Sequence, residues 1–180
     1  MLETTGGLMR IRQERISDYP EVNELVKISF AASSHSDGTE SDYLDGLRKK
    51  DVFIPELSLV AELESGKLAG QIVLYKTNIA APGRTIAALV LSPICVHPDY
   101  FRQGIARAMM EEAFTIARKM GYASVFLCGD PDFYKKTGFR PSYKYHIYHI
   151  TDTQRNAEWC MVRELIDGAL KNISGTVNIE

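Results

Sequence analysis

Residues 91–120 constrain the fold more than any other part of this sequence, because they join an apolar strand to a helix through a turn that contains Gly104. The first six residues suit a buried strand, and apolar residues recur at three- and four-residue steps after the glycine. The first turn of such a helix carries unpaired N–H groups and the positive end of the helix dipole. Arg102 and Arg107 flank this turn. The stretch therefore predicts an anion site, and our hypothesis is that it holds the pyrophosphate of a coenzyme.

Composition excludes several other classes of protein. The chain has 180 residues, of which 45% are apolar, enough for one domain with a substantial core. A formal net charge of −2 gives no support to a general nucleic-acid binder. No apolar run approaches the roughly 18 residues of a membrane span, and the first ten residues lack the pattern of a secretion signal. We expect a cytoplasmic protein that binds neither nucleic acid nor membrane.

The three cysteines, Cys95, Cys128 and Cys160, lie far apart and form no C-x-x-C pair. Each lies in an apolar run, so we interpret them as reduced, buried thiols. A catalytic thiol at Cys95 is the alternative, although no neighbouring histidine or acid argues for its activation. His146 and His149 have no acidic or cysteine partner at metal-ligand spacing, and we expect no metal.

Periodicity and turn residues predict an α/β fold with a mixed sheet of about seven strands. The predicted strands are residues 9–14, 57–63, 68–77, 85–96, 122–128, 143–150 and 157–165. The predicted helices are residues 17–30 with Ser17 as N-cap, 41–50, 104–120 and 131–137. The fourth strand is apolar on both faces and should be central, with an interruption or bulge at Pro93. We expect a flexible lead-in at 1–8, a single domain at 9–165 and a C-terminal extension at 166–180.

Two segments, together with the order of the predicted strands and helices, resemble the GNAT superfamily of acetyl-CoA-dependent N-acetyltransferases. The segment ICVHPDYFRQGIA is similar to the strand and pyrophosphate loop of the family, and FYKKTGF is similar to its F-Y-x-K-x-G-F segment. The resemblance implies a sheet splayed between its fourth and fifth strands, with helices on both faces. It also implies acetyl-CoA as cosubstrate and no metal.

The resemblance further implies which residues bind the coenzyme. They are the loop and helix start at Arg102, Gln103, Gly104, Ile105, Ala106 and Arg107, the strand backbone at Ile94, Cys95 and Val96, and Phe133 and Lys136 of the second segment. The strand backbone would pair with the pantetheine arm, and a backbone N–H there would polarise the thioester carbonyl. Phe101 departs from the family pattern, which has Gln or Arg at that position. We therefore expect backbone N–H groups, which any residue supplies, to bind the phosphates.

Tyr134 matches the tyrosine that the family places four residues before the glycine of the second segment. The departing coenzyme A thiolate needs a proton, which a phenol can donate; the alternative is a tyrosine that only packs in the core. The proton acceptor for the amine stays open among His97, Glu62 and a chain of water molecules. No Glu or Asp occupies residues 85–96, where the family often has a basic carboxylate.

The sequence thus predicts an acyltransferase that moves the acetyl group of acetyl-CoA directly to an amine of a small molecule or peptide. Residues 31–51 and 143–156 correspond to the segments that border the acceptor site in the family, and a homodimer is compatible with the resemblance. A non-catalytic acyl-CoA-binding sensor or regulatory module is the first alternative. A nucleotide-binding protein is the second, although the chain has neither G-x-x-x-x-G-K-[ST] nor G-x-G-x-x-G.

Overall fold

The computed structural model describes the main chain of residues 2–4 and both main chain and side chains of residues 7–31 and 36–179. The chain divides into two compact units. Unit 1 comprises Met1–Leu74 and Ser92–Ile116, and unit 2 comprises Tyr75–Leu91 and Ala117–Glu180. The predicted single domain at 9–165 stays a prediction, and each unit is described in turn.

Unit 1 contains a run of antiparallel strands at the start of the chain. Its strands are β1 (Leu2–Thr4), β2 (Gly7–Gln13), β3 (Ser58–Leu63) and the first half of β4 (Leu68–Ala81), paired in that order. The predicted hairpin at residues 64–67 joins β3 to β4. The end of β5 (Arg84–Val96) also belongs to this unit, and just beyond it the His97 N–H donates to the Ala69 carbonyl at 2.8 Å.

Unit 1 also contains three helices, all near their predicted positions: α1 (Tyr19–Phe30), α2 (Glu40–Leu47) and most of α3 (Ile105–Lys119). Ser17 is not the N-cap of α1, because a 3-10 turn at Ile16–Asp18 precedes the helix. The Asp18 carboxylate instead accepts a hydrogen bond from the Arg15 N–H at 2.7 Å. These helices bury apolar stripes at Val22, Leu25 and Val26, at Leu44 and Leu47, and at Ile105, Met109, Met110, Ala113 and Phe114.

Gly70 allows β4 to lie close to both α3 and β5 within unit 1. A Cβ atom at Gly70 would lie 2.8 Å from the Met109 Cε atom and 3.1 Å from the Cys95 carbonyl oxygen. Both distances are shorter than ordinary van der Waals contacts, so a larger residue would displace α3 or β5. The missing side chain therefore fixes how the start of α3 and the end of β5 sit on β4.

Unit 2 contains the rest of β4 and β5 with five shorter strands. They are β6 (Ser124–Cys128), β7 (Arg140–Pro141), β8 (Ile147–His149), β9 (Cys160–Glu164) and β10 (Gly175–Val177), and the strand order is β8-β10-β4-β5-β6-β9-β7. β5 runs parallel to β6 with Leu89 opposite Val125 and Val90 opposite Phe126. β9 is antiparallel to both β6 and β7. The sheet is therefore mixed, as predicted, while the splay between β5 and β6 stays a prediction.

Several sequence predictions differ from the structure. Residues 143–150 were predicted as one strand, but a 3-10 turn occupies Ser142–Tyr145 and His146 has a φ of 58°, so only Ile147–His149 is extended. β5 continues without a break through Pro93, after a cis Ser92–Pro93 peptide bond, so the predicted interruption is absent, while the alternative, a bulge, stays a prediction. Among the described residues the sheet has ten strands rather than about seven, because the additional strands β1, β7 and β10 have only two or three residues each, too few for a recognisable alternation.

Parts of both predicted terminal segments pair with strands of the sheet within the described residues, while the flexible lead-in and the C-terminal extension stay predictions. In the expected lead-in, Leu2–Thr4 pairs with Gly7–Met9, and Gly7 has the positive φ of 96° that a tight turn requires. In the expected C-terminal extension, β10 pairs with β4 and β8, and the Thr77 Oγ1 donates to the Asn178 carbonyl at 2.8 Å. The apolar side chains of this segment explain its order, because they join the core of unit 2. That core consists of Ile79, Ala88, Phe126, Ile147, Ala157, Cys160, Val162, Leu170 and Val177.

Within the described residues, every helix is too short or too polar to span a membrane.

The most regular helix, α3, has a polar side and a basic last turn with Arg118 and Lys119. These charges oppose the negative end of the helix dipole. The helix ends at Lys119, and Gly121, whose φ is 90°, lies in the turn that follows it.

The substitution Gly70→Ala tests the close approach of β4, α3 and β5. We expect it to lower the free energy of unfolding by about 1–3 kcal/mol, because the Cys95 carbonyl belongs to a strand that cannot move independently. Urea denaturation measures the change. Gly46→Ala in α2 is the matched control, because a Cβ there meets no atom within 4 Å and alanine favours a helix by up to about 1 kcal/mol. Equal unfolding midpoints for Gly70→Ala and wild type would contradict the interpretation.

Candidate active site

The turn between β5 and α3 has the backbone conformation of an anion site. A 3-10 turn at Pro98–Tyr100 leads into Arg102 and Gly104, whose φ angles are 62° and 79°. α3 follows, and the Ala108 N–H donates to the Gly104 carbonyl at 3.0 Å. The N–H groups of Ile105 and Ala106 therefore lie at the helix N-terminus, where helix geometry provides no acceptor. They are positioned to bind an anion.

Gly104 leaves room for a ligand beside this backbone. A Cβ atom added there would meet no atom within 4 Å, so the space next to the backbone is open. The residues of the turn therefore fit a pyrophosphate, which needs close access to N–H groups. Gln103 also belongs to the turn, and its side-chain Nε2 donates to the Asp99 carbonyl at 3.4 Å. Arg102 and Arg107 are exposed and add positive charge, and Phe101 is 50% exposed.

The end of β5 offers main-chain groups on the side that faces away from β4. The His97 N–H donates to β4, and the backbone groups of successive strand residues alternate in direction. Cys95 therefore directs its N–H and carbonyl toward β4, which agrees with the short distance from its carbonyl to Gly70. Ile94 and Val96 direct theirs the other way. The predicted pairing with a pantetheine arm thus fits Ile94 and Val96 but not the main chain of Cys95.

The side chain of Cys95 is a poor nucleophile because it is both buried and protonated. The residue is 6% exposed, and burial raises the pKa of its thiol to about 12. A thiol with that pKa is protonated at neutral pH, whereas nucleophilic attack needs the thiolate. The catalytic-thiol alternative therefore lacks support. All three cysteines are free; Cys95 and Cys160 are buried as expected, but Cys128 is exposed because it lies at the end of β6.

Two buried polar side chains beside Cys95 were missed by the sequence analysis. Both polar atoms of the Gln71 side-chain amide are buried and form no hydrogen bond within the described part of the chain. The buried Ser29 hydroxyl has the Cys95 thiol beside it, a weak partner that leaves the hydroxyl without a strong hydrogen bond among the described residues. The Ser29 side chain and the Gln71 main chain both lie against the Cys95 thiol. Burying such groups without partners is unfavourable. They therefore provide binding positions for water or for a polar ligand atom, and only the tertiary structure reveals them.

Glu62 belongs to an ion-pair network in unit 1. Its Oε1 accepts from the Arg12 guanidinium at 2.9 Å, and its Oε2 accepts from Arg10 at 2.5 Å. Arg12 also binds the Asp18 carboxylate at 2.6 Å. Hydrogen bonds from Arg12 and then Arg10 lower the pKa of Glu62 to about 2. Guanidinium groups occupy both carboxylate oxygens and hold the pKa low, so Glu62 is a poor general base at neutral pH.

His97 keeps a place among the candidate bases. Its Nδ1 accepts a hydrogen bond from the Asp99 N–H at 3.3 Å and lies 3.5 Å from the Asp99 carboxylate. Its ring also lies 5.8 Å from that of Tyr100. This hydrogen bond requires Nδ1 to be unprotonated, which assigns the proton of the neutral ring to Nε2.

Tyr134 lies on a short helix in unit 2, α4 (Pro131–Tyr134), which Asp130 caps through the Asp132 N–H at 2.9 Å. A Cβ atom at Gly129 would lie 2.4 Å from the Tyr134 ring, so the ring packs directly on the backbone. The Phe139 ring lies 5.7 Å away at 72°. These contacts fix the ring. Across the described residues, the phenol oxygen has no hydrogen-bond partner and is available to one outside the chain.

Burial, and to a lesser extent the Asp130 charge, raise the pKa of Tyr134 to about 12. The phenol is therefore protonated at neutral pH and can donate a proton. The other two predicted residues of this segment, Phe133 and Lys136, are exposed, and the Phe133 ring makes an edge contact with Tyr134 at 4.9 Å. Lys135 forms an ion pair with Glu158 at 3.4 Å. Phosphate binding by either lysine stays a prediction.

Residues 31–51 and 143–156 are the segments predicted to border the acceptor, and the structure describes the first of them only in part. His35 lies outside the described residues. Asp45, one of the acidic residues of the first segment, accepts hydrogen bonds from Arg48 at 2.8 Å and Asn23 at 3.0 Å, so its charge is already balanced. In the second segment, the Tyr143 hydroxyl donates to Glu158 at 2.6 Å. No cluster of three or more potential metal ligands occurs within the described residues.

The family model described as "Acetyltransferase (GNAT) domain" matches residues 10–142. This chain belongs to the GNAT acetyltransferase family. The match includes β5, the glycine turn, α3 and the Tyr134 segment, and it confirms the predicted enzyme class, acyltransferase. The mixed sheet with its helices agrees with the family fold.

Two proteins with similar sequence or structure have names that specify no acceptor. The uncharacterized N-acetyltransferase YhbS of Escherichia coli strain K12 is 28% identical over 169 residues, covering 94% of this chain and 95% of that protein. A structure of Escherichia coli YhbS in complex with CoA has a TM-score of 0.81 at 26% identity and covers 96% of this chain and 89% of that one. A GNAT family acetyltransferase from Brucella melitensis, in complex with acetyl-CoA, has a TM-score of 0.75 at 24% identity and covers 96% of both chains, which supports the fold.

The lowered pKa of Glu62 predicts how stability depends on acid. A carboxylate with a lowered pKa in the folded state stabilises the protein above its ordinary pKa of 4.5, and that contribution is lost as the pH falls toward 2. We expect Glu62→Gln to weaken the loss of unfolding free energy across this window, as measured by urea denaturation at several pH values. Glu64→Gln, at an exposed neighbour, is the control. An unchanged acid dependence in Glu62→Gln would show that the ion pairs do not stabilise the fold.

Proposed function

We propose that the protein transfers the acetyl group of acetyl-CoA directly to an amine of a small molecule or peptide. The main support for this function is the turn at Gly104, where open space lies beside the N–H groups at the helix N-terminus. The chain in which this turn occurs belongs to the GNAT family. The complexes of similar proteins with CoA and acetyl-CoA support the choice of cosubstrate. Arg102 and Arg107 would add charge to the pyrophosphate site, and Ile94 and Val96 would pair with the pantetheine arm.

Gly104→Ala tests the coenzyme site. We expect the dissociation constant for acetyl-CoA to rise at least about tenfold, or about 1.4 kcal/mol, because the new Cβ would fill the space beside the phosphate-binding backbone. Isothermal titration calorimetry measures the change.

Gly83→Ala is a matched control for Gly104→Ala. Gly83 has a φ of 73° and equally open surroundings, but it lies in the β4–β5 turn. Both variants should lose about 1–2 kcal/mol of stability from the left-handed conformation, and only Gly104→Ala should lose affinity. Equal affinities in the two variants would place the coenzyme elsewhere, and no binding of acetyl-CoA to wild type would refute the function itself.

We propose that Tyr134 donates its phenol proton to the coenzyme A thiolate as the carbon–sulfur bond breaks. The amine nitrogen attacks the thioester carbonyl, and the acetyl group leaves on the nitrogen without a covalent link to the enzyme. A backbone N–H of β5 would stabilise the negative charge on the carbonyl oxygen. Support comes from the fixed ring of Tyr134 and its unpartnered hydroxyl, which the raised pKa keeps protonated before the reaction.

Tyr134→Phe removes the proposed acid and leaves the ring in place. We expect kcat to fall about 100-fold or more, as is typical for loss of a general acid, with little change in the affinity for acetyl-CoA. Steady-state release of coenzyme A at saturating substrate measures kcat, and unfolding experiments check the fold. Tyr143→Phe, whose hydroxyl binds Glu158, is the control. Wild-type turnover by Tyr134→Phe, with chemistry rate-limiting, would exclude Tyr134 as the acid.

The amine must lose a proton, and two routes are open. His97 is one, and a water chain is the other; we propose that Ser29 and Gln71 would anchor such a chain because their buried polar atoms need partners. Gln71→Leu removes both amide atoms at similar volume. It should lower kcat if the water route operates, whereas His97→Gln should do so if the histidine is the base. Unchanged kcat in either variant would exclude that route.

An amine screen with detection of released thiol tests the reaction and identifies the acceptor. Coenzyme A release that depends on both acetyl-CoA and an amine is the expected result. The alternative is a sensor or regulatory module that binds acyl-CoA without turnover, which the loss of Glu62 as a base favours. Acetyl-CoA binding with no thiol release across primary amines, amino acids and peptides would support that alternative. A cytoplasmic location and a homodimer stay predictions.

A further inference from the structure

The thiols of Cys128 and Cys160 lie opposite each other in unit 2. In the antiparallel pairing of β6 with β9, Cys128 faces Cys160 in register. The Gly129 N–H donates to the Trp159 carbonyl at 2.9 Å, so this neighbouring pair is hydrogen-bonded across the strands. The alternation of the ladder makes Cys128 and Cys160 a non-hydrogen-bonded pair, whose Cα atoms lie about 4.5 Å apart with both side chains on one face. That separation is within the range of about 4.4–6.8 Å found in disulfides.

The two thiols differ in their surroundings. Cys128 is exposed and Cys160 is buried, and both are free. The Cys160 sulfur accepts a hydrogen bond from the Ser142 hydroxyl at 3.2 Å, which fixes its position. An oxidant in solution therefore reaches Cys128 first, and Cys160 is held where it can attack the oxidised sulfur. The third thiol, at Cys95, belongs to the other unit and is buried.

We propose that Cys128 and Cys160 form a site of reversible oxidative modification, in which a peroxide converts the dithiol into a disulfide between β6 and β9. In the first step the Cys128 sulfur attacks a peroxide oxygen, the O–O bond breaks, and Cys128 sulfenic acid and one water form. In the second step the Cys160 sulfur attacks the sulfenic sulfur, the S–O bond breaks, and a second water leaves. Two thiols and one hydrogen peroxide thus give one disulfide and two waters, and a dithiol reductant reverses the change.

The bridge would join the two strands next to the segment that carries Tyr134. Cys128 precedes Gly129, on whose backbone the Tyr134 ring packs. The thiolate is the reactive form, and the neighbouring strands desolvate the Cys128 sulfur enough to raise its pKa, although the residue is open to solvent at the end of β6. Oxidation at neutral pH is therefore slow, which favours a response to sustained oxidant over a rapid one.

The test exposes the full-length protein to excess hydrogen peroxide for several hours, followed by alkylation of free thiols under denaturing conditions, intact-mass measurement and peptide mapping. The wild type should lose two alkylatable thiols and two hydrogens and yield one peptide pair joined through Cys128 and Cys160. Dithiothreitol should restore all three thiols. Cys95→Ala should still form the bridge, and Cys128→Ser, at an exposed position, should not.

Several results would overturn the proposal. These are three intact thiols in the oxidised wild type, sulfinic acid at Cys128 with no bridge, a bridge that includes Cys95, and a bridge between two chains. Loss of two thiols in Cys128→Ser would overturn it as well. Thermal melting confirms that each variant is folded, and the wild-type peptide map decides the outcome even if a variant is not. The experiment requires no acetyl acceptor, so its failure is distinguishable from failure of the proposed function.

Discussion

The close packing of α3 and the end of β5 on β4 is the constraint on which the candidate coenzyme site depends. Gly70 has no side chain at the point where the Met109 side chain and the Cys95 carbonyl approach β4. Because Cys95 turns its main chain toward β4, Ile94 and Val96 present theirs on the other side. The same packing holds the first turn of α3 beside the end of the strand. Backbone geometry, and not a set of charged side chains, therefore creates the site within unit 1.

The buried charges of unit 1 serve mainly to stabilise the fold. Arg12 pairs with both Asp18 and Glu62, and the Arg48 guanidinium contacts Glu14 and lies 3.8 Å from the centre of the Tyr19 ring. Hydrogen bonds from the arginines lower the pKa of Glu62, so this carboxylate is a poor base. The chemistry we propose consequently relies on a tyrosine phenol, backbone N–H groups, and His97 or water.

The sequence predicted best those elements whose signals are local. Helix α3 and strands β3 to β5 were predicted because periodic apolar residues and turn glycines define them within a short window. The turn at Gly104 was predicted for the same reason, with added specificity from the family resemblance. The prediction of one strand at residues 143–150 was partly wrong because His146, in the left-handed conformation, ends the 3-10 turn. A histidine does not indicate that conformation in a sequence.

Features that depend on long-range register could not be predicted. The opposition of Cys128 and Cys160 follows from how β6 pairs with β9, and the isolation of the Ser29 and Gln71 polar atoms follows from tertiary packing. The weak basicity of Glu62 likewise follows from the pairing of β2 with β3, because its partners Arg10 and Arg12 are about 50 residues away from it in sequence. Residue type alone indicated what each side chain can do, but not which partners it has.

The pairing of β10 with β4 has a consequence for the order in which the two units fold during synthesis. The hydrogen bond between Thr77 and Asn178 joins residues that are 101 positions apart, and β10 also supplies the partner of β8. Strands with such distant partners form late, because the intervening chain must be closed first. During synthesis, β4 emerges from the ribosome long before β10. Unit 2 can therefore complete its sheet only after β10 has emerged, whereas the part of the chain that forms unit 1 ends at Ile116.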